Sequence, residues 1–448
     1  MECLHRRLLQ WIQRFRLQSP VPGACRRYAA RLNKKKRKSI LMEFDSLHAP
    51  RFTRIVLTAV LAALSFGAAN AQPASNDASD AVALRLAVER QVADRGIGDL
   101  EQVFSFTGAM PTGVAVDPHS RRIFVNFPRW GDDVPYTVGE IVGDKLVPYP
   151  DAQTNRAATD SPARHFISVQ SVVADGRGKL WVLDPAAPGF EAPVPGGAKL
   201  IAIDLKTNRV ARTYVLPPDV ALPTTYLNDV RFDFRAGKGG FAYITDSSTN
   251  GPGGIIVVDL ATGAAWRRLS GHPSVQPDPS FVPVVEGEQL MIRMPGKPPA
   301  PFRVAADSLA LSADGSTLYY AALTSRHLYA APTALLRDRA VDEGKLGAAV
   351  VDLGDKGASD GLETDDRGRI YATDYEHNAI RRLDNGRWTT IAHDPRMLWP
   401  DSMSVAPGYL YFTANQIERQ PLFHEGRDGR LKPYALFRVK IDAGPVAR

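Results

Sequence analysis

Cysteine is almost absent from this sequence. The 448 residues include two cysteines, Cys3 and Cys25, and both lie in the N-terminal leader described below. The rest of the chain has no thiol, which excludes disulfide bonds, thiolate catalysis and cysteine-based zinc sites from it. A chain without stray thiols is typical of proteins exported to an oxidising compartment.

Positive charge is also scarce outside the leader. The whole chain has a formal charge of +7, but residues 1–71 hold 14 of its 55 lysines and arginines and three of its 48 acidic residues. The other residues are 41 basic and 45 acidic, a net charge of −4. A mildly acidic body has no electrostatic footprint for a phosphate backbone, so we exclude nucleic acid as a partner.

No hydrophobic run is long enough to cross a bilayer. The apolar run at 55–66 follows Arg51 and Arg54 and is shorter than the roughly 20 residues that a spanning helix needs. Small residues follow it at 69 and 71, the two positions that signal peptidase reads. This pattern predicts a signal peptide cleaved near Ala71 and no stable membrane span in the mature form. We expect a secreted or periplasmic protein.

The sequence divides into four parts. Residues 1–41 are a basic leader, which is an over-extended start if translation begins at Met42. The signal peptide occupies 42–71, and 72–100 is an N-terminal spacer, either helical or disordered. We assign 101–448 to one folded domain.

Several catalytic motifs are missing. The sequence contains no Gly-x-Ser-x-Gly elbow, no His-Glu-x-x-His and no glycine-rich phosphate loop, which argues against a serine hydrolase, a zinc protease and a nucleotide enzyme. His165 beside a long loop is an isolated histidine, and such residues are more often structural than catalytic.

One unit of sequence recurs six times. It consists of a polar residue, a small residue, a short alternating strand, an Asp/Gly turn and a second strand rich in aromatic and β-branched residues. The six copies begin at Thr112, Gln170, Asn228, Asp307, Asp360 and Asp401. A second hairpin follows most copies, so each unit is predicted to be a four-stranded blade.

Six such blades predict an all-β fold, a six-bladed β-propeller. Radial packing buries both faces of each sheet and leaves short, protected edges. The last unit is one strand short, and residues 102–106 can supply it. We therefore expect the ring to be closed by an N-terminal strand that joins the C-terminal blade. The long connections at 147–166 and 269–306 are candidate lids.

The hairpin geometry predicts a functional site at one mouth of the central channel. The residue before the first strand and the residue after the second emerge at the same face. Buried carboxylates in a narrow channel are costly unless a cation, solvent or polar ligand compensates them. The predicted ligand-binding residues are Thr112, Phe127, Trp130, Gln170, Asn228, Asp229, Asp246, Asp307, Asp360, Asp374, Asp401 and Asn415. No residue is assigned a catalytic role.

Three interpretations of this mouth stay open. Its Asn and Asp oxygens could hold a divalent cation such as Ca²⁺, which would activate water against a lactone. Alternatively, it could bind an aromatic or amine-bearing small molecule through carboxylate pairing and stacking. The aromatic residues available are Phe127, Trp130, Tyr226, Tyr375 and Trp399. In the third interpretation, the Asp, Asn and Thr residues simply cap turns.

Several sequence blocks identify a family resemblance. They include Asn126-Phe127-Pro128-Arg129-Trp130, Leu227-Asn228-Asp229 and Trp399-Pro400-Asp401. These blocks resemble the major royal jelly and yellow protein family over nearly the whole expected mature chain. The resemblance implies a secreted six-bladed propeller. It leaves activity open, because the family includes pigmentation proteins linked to dopachrome conversion, amine-binding salivary proteins and nutritive proteins.

The repeats are more remotely similar to the gluconolactonase and senescence-marker propellers. That group holds its metal with Glu, two Asn and Asp at blade starts, which makes Asn228, Asp360 and Asp401 candidate metal ligands. Thr112 stands where the group has Glu, and this weakens the metal interpretation.

The leading hypothesis is an exported propeller that binds a small polar or aromatic ligand at the channel mouth, with isomerase or tautomerase activity left open. The alternatives are a divalent-metal lactonase and a non-catalytic interaction scaffold.

Overall fold

The computed structural model describes residues 95–447. The predicted basic leader, the signal peptide and most of the spacer lie outside these residues. Within them, the chain forms six four-stranded antiparallel sheets, so the predicted six-bladed β-propeller is confirmed.

The strands of each blade follow one another along the chain, except in the last blade. Blade 6 takes its outermost strand, β1, from the N-terminal end, Leu100–Phe106. Blade 1 contains β2 (Val114–Val116), β3 (Ile123–Asn126), β4 (Val138–Val142) and β5 (Lys145–Pro148). Blade 2 contains β6 (Ser171–Ala174), β7 (Lys179–Asp184), β8 (Lys199–Asp204) and β9 (Arg209–Val215). Blade 3 contains β10 (Leu227–Asp233), β11 (Phe241–Asp246), β12 (Gly254–Asp259) and β13 (Ala265–Arg268).

A long insert separates blades 3 and 4. It contains the short strands β14 (Val284–Val285), β15 (Glu288–Gln289), β16 (Met291–Ile292) and β17 (Ala300–Pro301), which form two hairpins. Blade 4 contains β18 (Ala306–Leu311), β19 (Thr317–Ala322), β20 (His327–Pro332) and β21 (Val351–Asp355), with helices α1 (Thr333–Arg337) and α2 (Glu343–Ala348) before β21.

The last two blades complete the ring. Blade 5 contains β22 (Leu362–Thr364), β23 (Ile370–Asp374), β24 (Ala379–Asp384) and β25 (Arg387–His393). Blade 6 contains β26 (Pro400–Ala406), β27 (Tyr409–Ala414), β28 (Tyr434–Lys440) and β1. β1 pairs antiparallel with β28 from Leu100 opposite Val439 to Phe106 opposite Tyr434. The predicted closure of the ring by an N-terminal strand is therefore confirmed.

Each interface between neighbouring blades contains its own hydrophobic cluster. Between blades 2 and 3, for example, Trp181 and Leu200 pack with Phe232 and Ile244. Strand β7 is buried along almost its whole length because a neighbouring blade covers each face of its sheet. Clusters of this kind occupy all six interfaces, including that between blades 6 and 1. Apolar burial thus holds the ring together blade by blade.

The insert before blade 4 covers part of one end of the ring. We call residues 278–304 the cap. Phe281 and Val285 of the cap belong to the same cluster as Trp399 and Phe423, and Arg293 in the cap accepts a backbone hydrogen bond from Glu425. The predicted lid at 269–306 is therefore a packed element with two small hairpins.

Candidate functional site

β-Bulges shape the mouth end of three innermost strands. Strand pairing shifts between Leu227 and Val230, between Ala306 and Ser308, and between Pro400 and Met403. These shifts fall on Asn228, Asp307 and Asp401. A bulge takes a residue out of the regular ladder and redirects its side chain, and bulges are frequent beside active sites. The sequence repeat located these residues, and the bulges explain why they differ from ordinary strand residues.

Two aspartates from neighbouring blades meet at the mouth. The side chains of Asp307 in blade 4 and Asp360 at the start of blade 5 are hydrogen bonded to each other. Trp399 Nε1 donates to Asp360 Oδ2 at 2.5 Å. The Trp399 ring stacks on Tyr375 with 4.2 Å between ring centroids. The buried rings of Trp399 and Tyr375 therefore pack on one side of the Asp307–Asp360 pair.

A third carboxyl group stands beside this pair. Asp401 Oδ2 accepts a hydrogen bond of 2.7 Å from Asn415 Nδ2, and Asp401 is buried like the other two. Burial raises the pKa of Asp307 and of Asp401 well above the ordinary value, and the neighbouring carboxylates raise both further. Burial also raises the pKa of Asp360 to about 6, against the opposing effect of the Trp399 hydrogen bond. Burial in this site therefore disfavours ionisation of these acids.

No ion pair compensates these three acids. Among residues 95–447, no lysine, arginine or histidine forms a salt bridge with Asp307, Asp360 or Asp401. Lys356 is completely buried nearby and donates to the carbonyl oxygens of Ser325 and Gly357. Burial lowers its pKa to about 7. The charge of Lys356 thus acts on Asp360 and Asp307 without a direct ion pair.

The opposite side of the mouth is made of amides and aromatic rings. Trp130 Nε1 donates to the Tyr226 hydroxyl at 2.8 Å, and that hydroxyl donates to Gln170 Oε1 at 3.1 Å. Gln170 Nε2 in turn donates to Asn228 Oδ1 at 3.0 Å. Asn228 is partly exposed, whereas Gln170 and Tyr226 are buried. A chain of hydrogen bonds therefore connects the partly exposed indole of Trp130 to Asn228 at the channel mouth.

An exposed phenylalanine extends the aromatic side. Phe190 stacks on Trp130 with 4.7 Å between centroids and lies 4.9 Å from the Tyr226 ring. It is 49% exposed and has a φ of 61°, which is strained for a bulky side chain. The sequence analysis missed Phe190 because it lies in an irregular loop between strands. An aromatic residue beside Gly189 in a loop was the only available signal.

Thr112 and Phe127 serve the framework of blade 1. Thr112 is fully buried, and its Oγ1 accepts a hydrogen bond of 2.8 Å from Asn126 Nδ2. Its carbonyl oxygen accepts one of 2.7 Å from Thr413 of blade 6. Phe127 packs in the hydrophobic cluster between blades 6 and 1. The structure therefore places these two predicted site residues in contacts that hold neighbouring blades together.

The acids that follow the second strands have structural partners. Asp246 receives Arg267 Nη2 at 2.8 Å and the backbone N–H of Tyr226 at 2.9 Å. Asp374 receives His377 Nδ1 at 2.9 Å. The predicted hairpin geometry brings Asp246 and Asp374 to the same end as the mouth, but their hydrogen bonds fix loops and strand ends.

Asp229 lies deeper in the channel than Asn228. Its Oδ1 accepts a hydrogen bond of 3.2 Å from Ser171 Oγ, and Arg231 Nη2 lies 3.9 Å from its Oδ2. Burial raises the pKa of Asp229, and Arg231 partly opposes this effect. Asp229 therefore belongs to the interior of the channel rather than to its rim.

The arrangement does not favour a metal. Across residues 95–447, no three His, Cys, Asp or Glu side chains form a group that could hold a metal ion. Of the candidate metal ligands, Asp360 bonds Asp307 and Trp399, Asp401 bonds Asn415, and Asn228 bonds Gln170. These oxygens are engaged with one another instead of converging on one point. The described chain also has no helix long and apolar enough to cross a membrane.

Comparison with known proteins places this chain among yellow-like proteins. A family model described as "Major royal jelly protein" matches residues 167–424. The chain is 30% identical over 254 residues to Protein yellow of Drosophila madeirensis, covering 52% of this chain and 40% of that protein. It is 29% identical over 252 residues to Protein yellow of Drosophila melanogaster, covering 51% and 42%. The matched region thus spans less than half of these relatives.

Solved propellers share little sequence with it. A luciferin-regenerating enzyme is similar with a TM-score of 0.48 and 13% identity, covering 78% of this chain and 98% of that one. A gluconolactonase from Xanthomonas campestris is similar with a TM-score of 0.46 and 12% identity, covering 78% and 95%.

Proposed function

The chain belongs to the major royal jelly protein family, and from this premise we propose that its channel mouth binds a small aromatic molecule that carries an amine. One observation carries the proposal. Three buried carboxyl groups without an ion-pair partner, Asp307, Asp360 and Asp401, share one mouth with the Trp130–Phe190–Tyr226 aromatic cluster.

Charge and shape both favour such a ligand. An ammonium group would supply the direct ion-pair partner that the buried acids lack, and a charge-assisted hydrogen bond is about twice as strong as a neutral one. A flat ring could stack on the exposed faces of Phe190 and Trp130. The partly exposed Asn228 lies between the two sides and can hydrogen bond a ring hydroxyl or indole nitrogen.

Titration calorimetry with dopamine and serotonin tests the proposal. We expect binding to the purified, metal-free protein, and we expect Asp360→Asn to raise the Kd by roughly tenfold to a hundredfold. Asp219→Asn is the matched control, because Asp219 is exposed in the turn after blade 2 and should leave the Kd unchanged. If neither dopamine nor serotonin binds, the proposal is contradicted and the scaffold hypothesis is favoured.

A metal-dependent lactonase is the alternative that the same preparation tests. Stoichiometric Ca²⁺ or Zn²⁺ that disappears in Asp360→Ala would favour the lactonase. The engagement of Asn228, Asp360 and Asp401 with other side chains favours metal-free protein.

Tautomerase activity is a second candidate, and the Asp307–Asp360 pair favours it. Two hydrogen-bonded carboxyl groups that share a proton offer an acid and a base side by side. One could take a proton from a bound ligand while the other delivers one, so that atoms and charges balance without a co-reactant. Dopachrome is a suitable probe, with its colour followed against the spontaneous reaction.

The variant Asp307→Asn separates binding from this reaction. Asparagine can still hydrogen bond, but it cannot give up or accept a proton at neutral pH. If the pair is catalytic, turnover falls to the spontaneous rate while ligand still binds. An unchanged rate would contradict the tautomerase candidate and leave the binding proposal intact.

Export is part of the proposed function. The signal peptide predicted at 42–71 requires the mature protein to begin near Gln72, which mass spectrometry of the exported protein can check.

A further inference from the structure

A second pocket lies inside the channel, beyond the mouth. Its space of about 580 Å³, part of which is open solvent, is lined by the innermost strands of blades 1, 2, 3, 5 and 6. We call it the inner pocket. Its polar lining includes Ser171, Asp229, Arg231, Glu363, Ser402 and Ser404. Pro118, Gly176 and Val446 line its end away from the mouth.

Arg231 is the unusual residue of the inner pocket. Its side chain reaches from blade 3 to blade 5, where Nη2 donates to the Leu362 carbonyl oxygen at 2.7 Å. Nη1 donates to the carbonyl oxygen of Val230 at 2.9 Å. Arg231 is 4% exposed, yet its buried Nε–H has no hydrogen-bond partner. A buried donor of this kind costs free energy until it finds an acceptor, so a group that reached the Nε–H would remove that cost.

The charges around Arg231 restrict what that group can be. Glu363 Oε2 lies 3.6 Å and Asp229 Oδ2 3.9 Å from Nη2, close enough for charge interaction but too far for hydrogen bonds. These two acids disfavour an anion beside Arg231. Arg231 in turn disfavours a cation. A neutral molecule with both acceptors and donors meets these constraints.

The hydroxyl groups and the free volume narrow the class further. Ser171 Oγ donates to Asp229, and Ser404 Oγ accepts from the backbone N–H of Val116 at 3.0 Å, so each retains hydrogen-bonding capacity. The centre of a water molecule can move through about 40 Å³ of the pocket. This is room for roughly three waters at 10–15 Å³ each. Three linked hydroxyl groups could occupy the same positions.

We propose that the inner pocket binds a small neutral polyol of about the size of glycerol, with one hydroxyl oxygen accepting from Arg231 Nε–H. Its hydroxyl hydrogens would donate to Asp229 and Glu363. This site is separate from the proposed amine site at the mouth and does not depend on it.

Solution NMR on the purified protein tests the proposal with glycerol as the probe. We expect saturation transfer from protein to glycerol, a saturable shift of the Arg231 Nε–H signal and a millimolar Kd. Arg231→Lys removes the Nε–H and should raise the Kd at least tenfold. Ser171→Ala should raise it severalfold, whereas Ser316→Ala, at an exposed serine of blade 4, should leave it unchanged.

Two further controls define the site. 1-Propanol, with a single hydroxyl, should bind much more weakly than glycerol, and Trp130→Ala at the mouth should leave glycerol binding intact. If Arg231→Lys does not fold, two other measurements test the proposal. These are the glycerol-dependent shift of the Nε–H signal in the unaltered protein and the glycerol Kd of Ser171→Ala. An Nε–H signal that stays constant at high glycerol concentration would show a pocket filled by water alone and would overturn the proposal. Equal glycerol affinity in Ser171→Ala and the unaltered protein would also overturn it.

Discussion

Two sets of buried aspartates differ in their partners rather than in their burial. The acids after the second strands, Asp184, Asp246 and Asp374, are 0%, 0% and 4% exposed. The acids at the starts of the first strands, Asp307, Asp360 and Asp401, are 3%, 8% and 5% exposed. Each member of the first set forms an ion pair, and no member of the second does so within residues 95–447.

We infer that this difference separates the structural acids from those of the proposed site. Asp184 binds Lys199 Nζ at 2.7 Å and also accepts from the backbone N–H groups of Ile167, Ser168 and Ala186. Such a carboxylate is fully satisfied and fixes the chain around it. Asp307 and Asp360 can hydrogen bond each other only if one of them keeps its proton, and Asp360 also accepts from Trp399. Burial alone therefore does not mark a candidate site, and the absence of a countercharge is the better criterion.

The largest effect should follow from removing a paired acid. Asp184→Asn would leave Lys199 buried, 1% exposed, without its carboxylate. Breaking a buried ion pair in this way costs about 3–5 kcal/mol. We expect a loss of that size in the free energy of unfolding, measured by denaturant titration. The exposed control Asp219→Asn should change it by less than about 0.5 kcal/mol. A loss for Asp184→Asn as small as for the control would remove the distinction between the two sets.

The unpaired acids should make stability depend on pH in the opposite sense to a salt bridge. Burial raises their folded pKa above the unfolded value of about 3.9, so the protonated form stabilises the fold. This contribution is complete below about pH 4 and is lost as pH rises through about 6, the pKa of Asp360. A two-unit shift corresponds to about 3 kcal/mol.

Unfolding titrations between pH 5 and pH 8 check this expectation. The free energy of unfolding should fall with rising pH in the unaltered protein, and Asp307→Asn should flatten the decline. An equally steep decline in Asp307→Asn would mean that other groups cause it.

Tyr226 contacts one paired acid and also the aromatic side of the mouth, so it can sharpen the comparison. Its backbone N–H donates to Asp246, a paired acid, while its hydroxyl joins Trp130 to Gln170 at the mouth. Tyr226→Phe keeps the first contact and removes the second. We expect a loss of about 1 kcal/mol in stability and about a tenfold weaker amine affinity. Denaturant titration of this variant measures the loss of stability, and calorimetry measures its amine affinity. Unchanged affinity would show that the aromatic side of the mouth does not contact the ligand.

The sequence predicted the fold better than the site. The sixfold repeat located each innermost strand, and residues 102–106 were recognised as the closing strand, because alternation and turn residues are local signals. The division of the acids was not visible. The repeat assigns both Asp246 and Asp307 to the mouth, and Arg267, which pairs with Asp246, comes from the fourth strand of the blade at no fixed spacing.

Arg231 shows the same limit. Its partner Leu362 is 131 residues away along the chain, and only the closed ring brings the two together.

The smallest effect is expected where the pairing is weakest. Asp374 is buried, but His377 is 71% exposed on its side chain, so their ion pair is largely screened by solvent. Burial still raises the pKa of Asp374 although His377 opposes it. His377→Gln should therefore cost about 1 kcal/mol or less in the free energy of unfolding. A loss as large as that of Asp184→Asn would place Asp374 among the firmly paired acids. A negligible loss would place Asp374 closer to the unpaired acids of the mouth. The buried aspartates would then differ gradually in the strength of their ion pairing rather than fall into two classes.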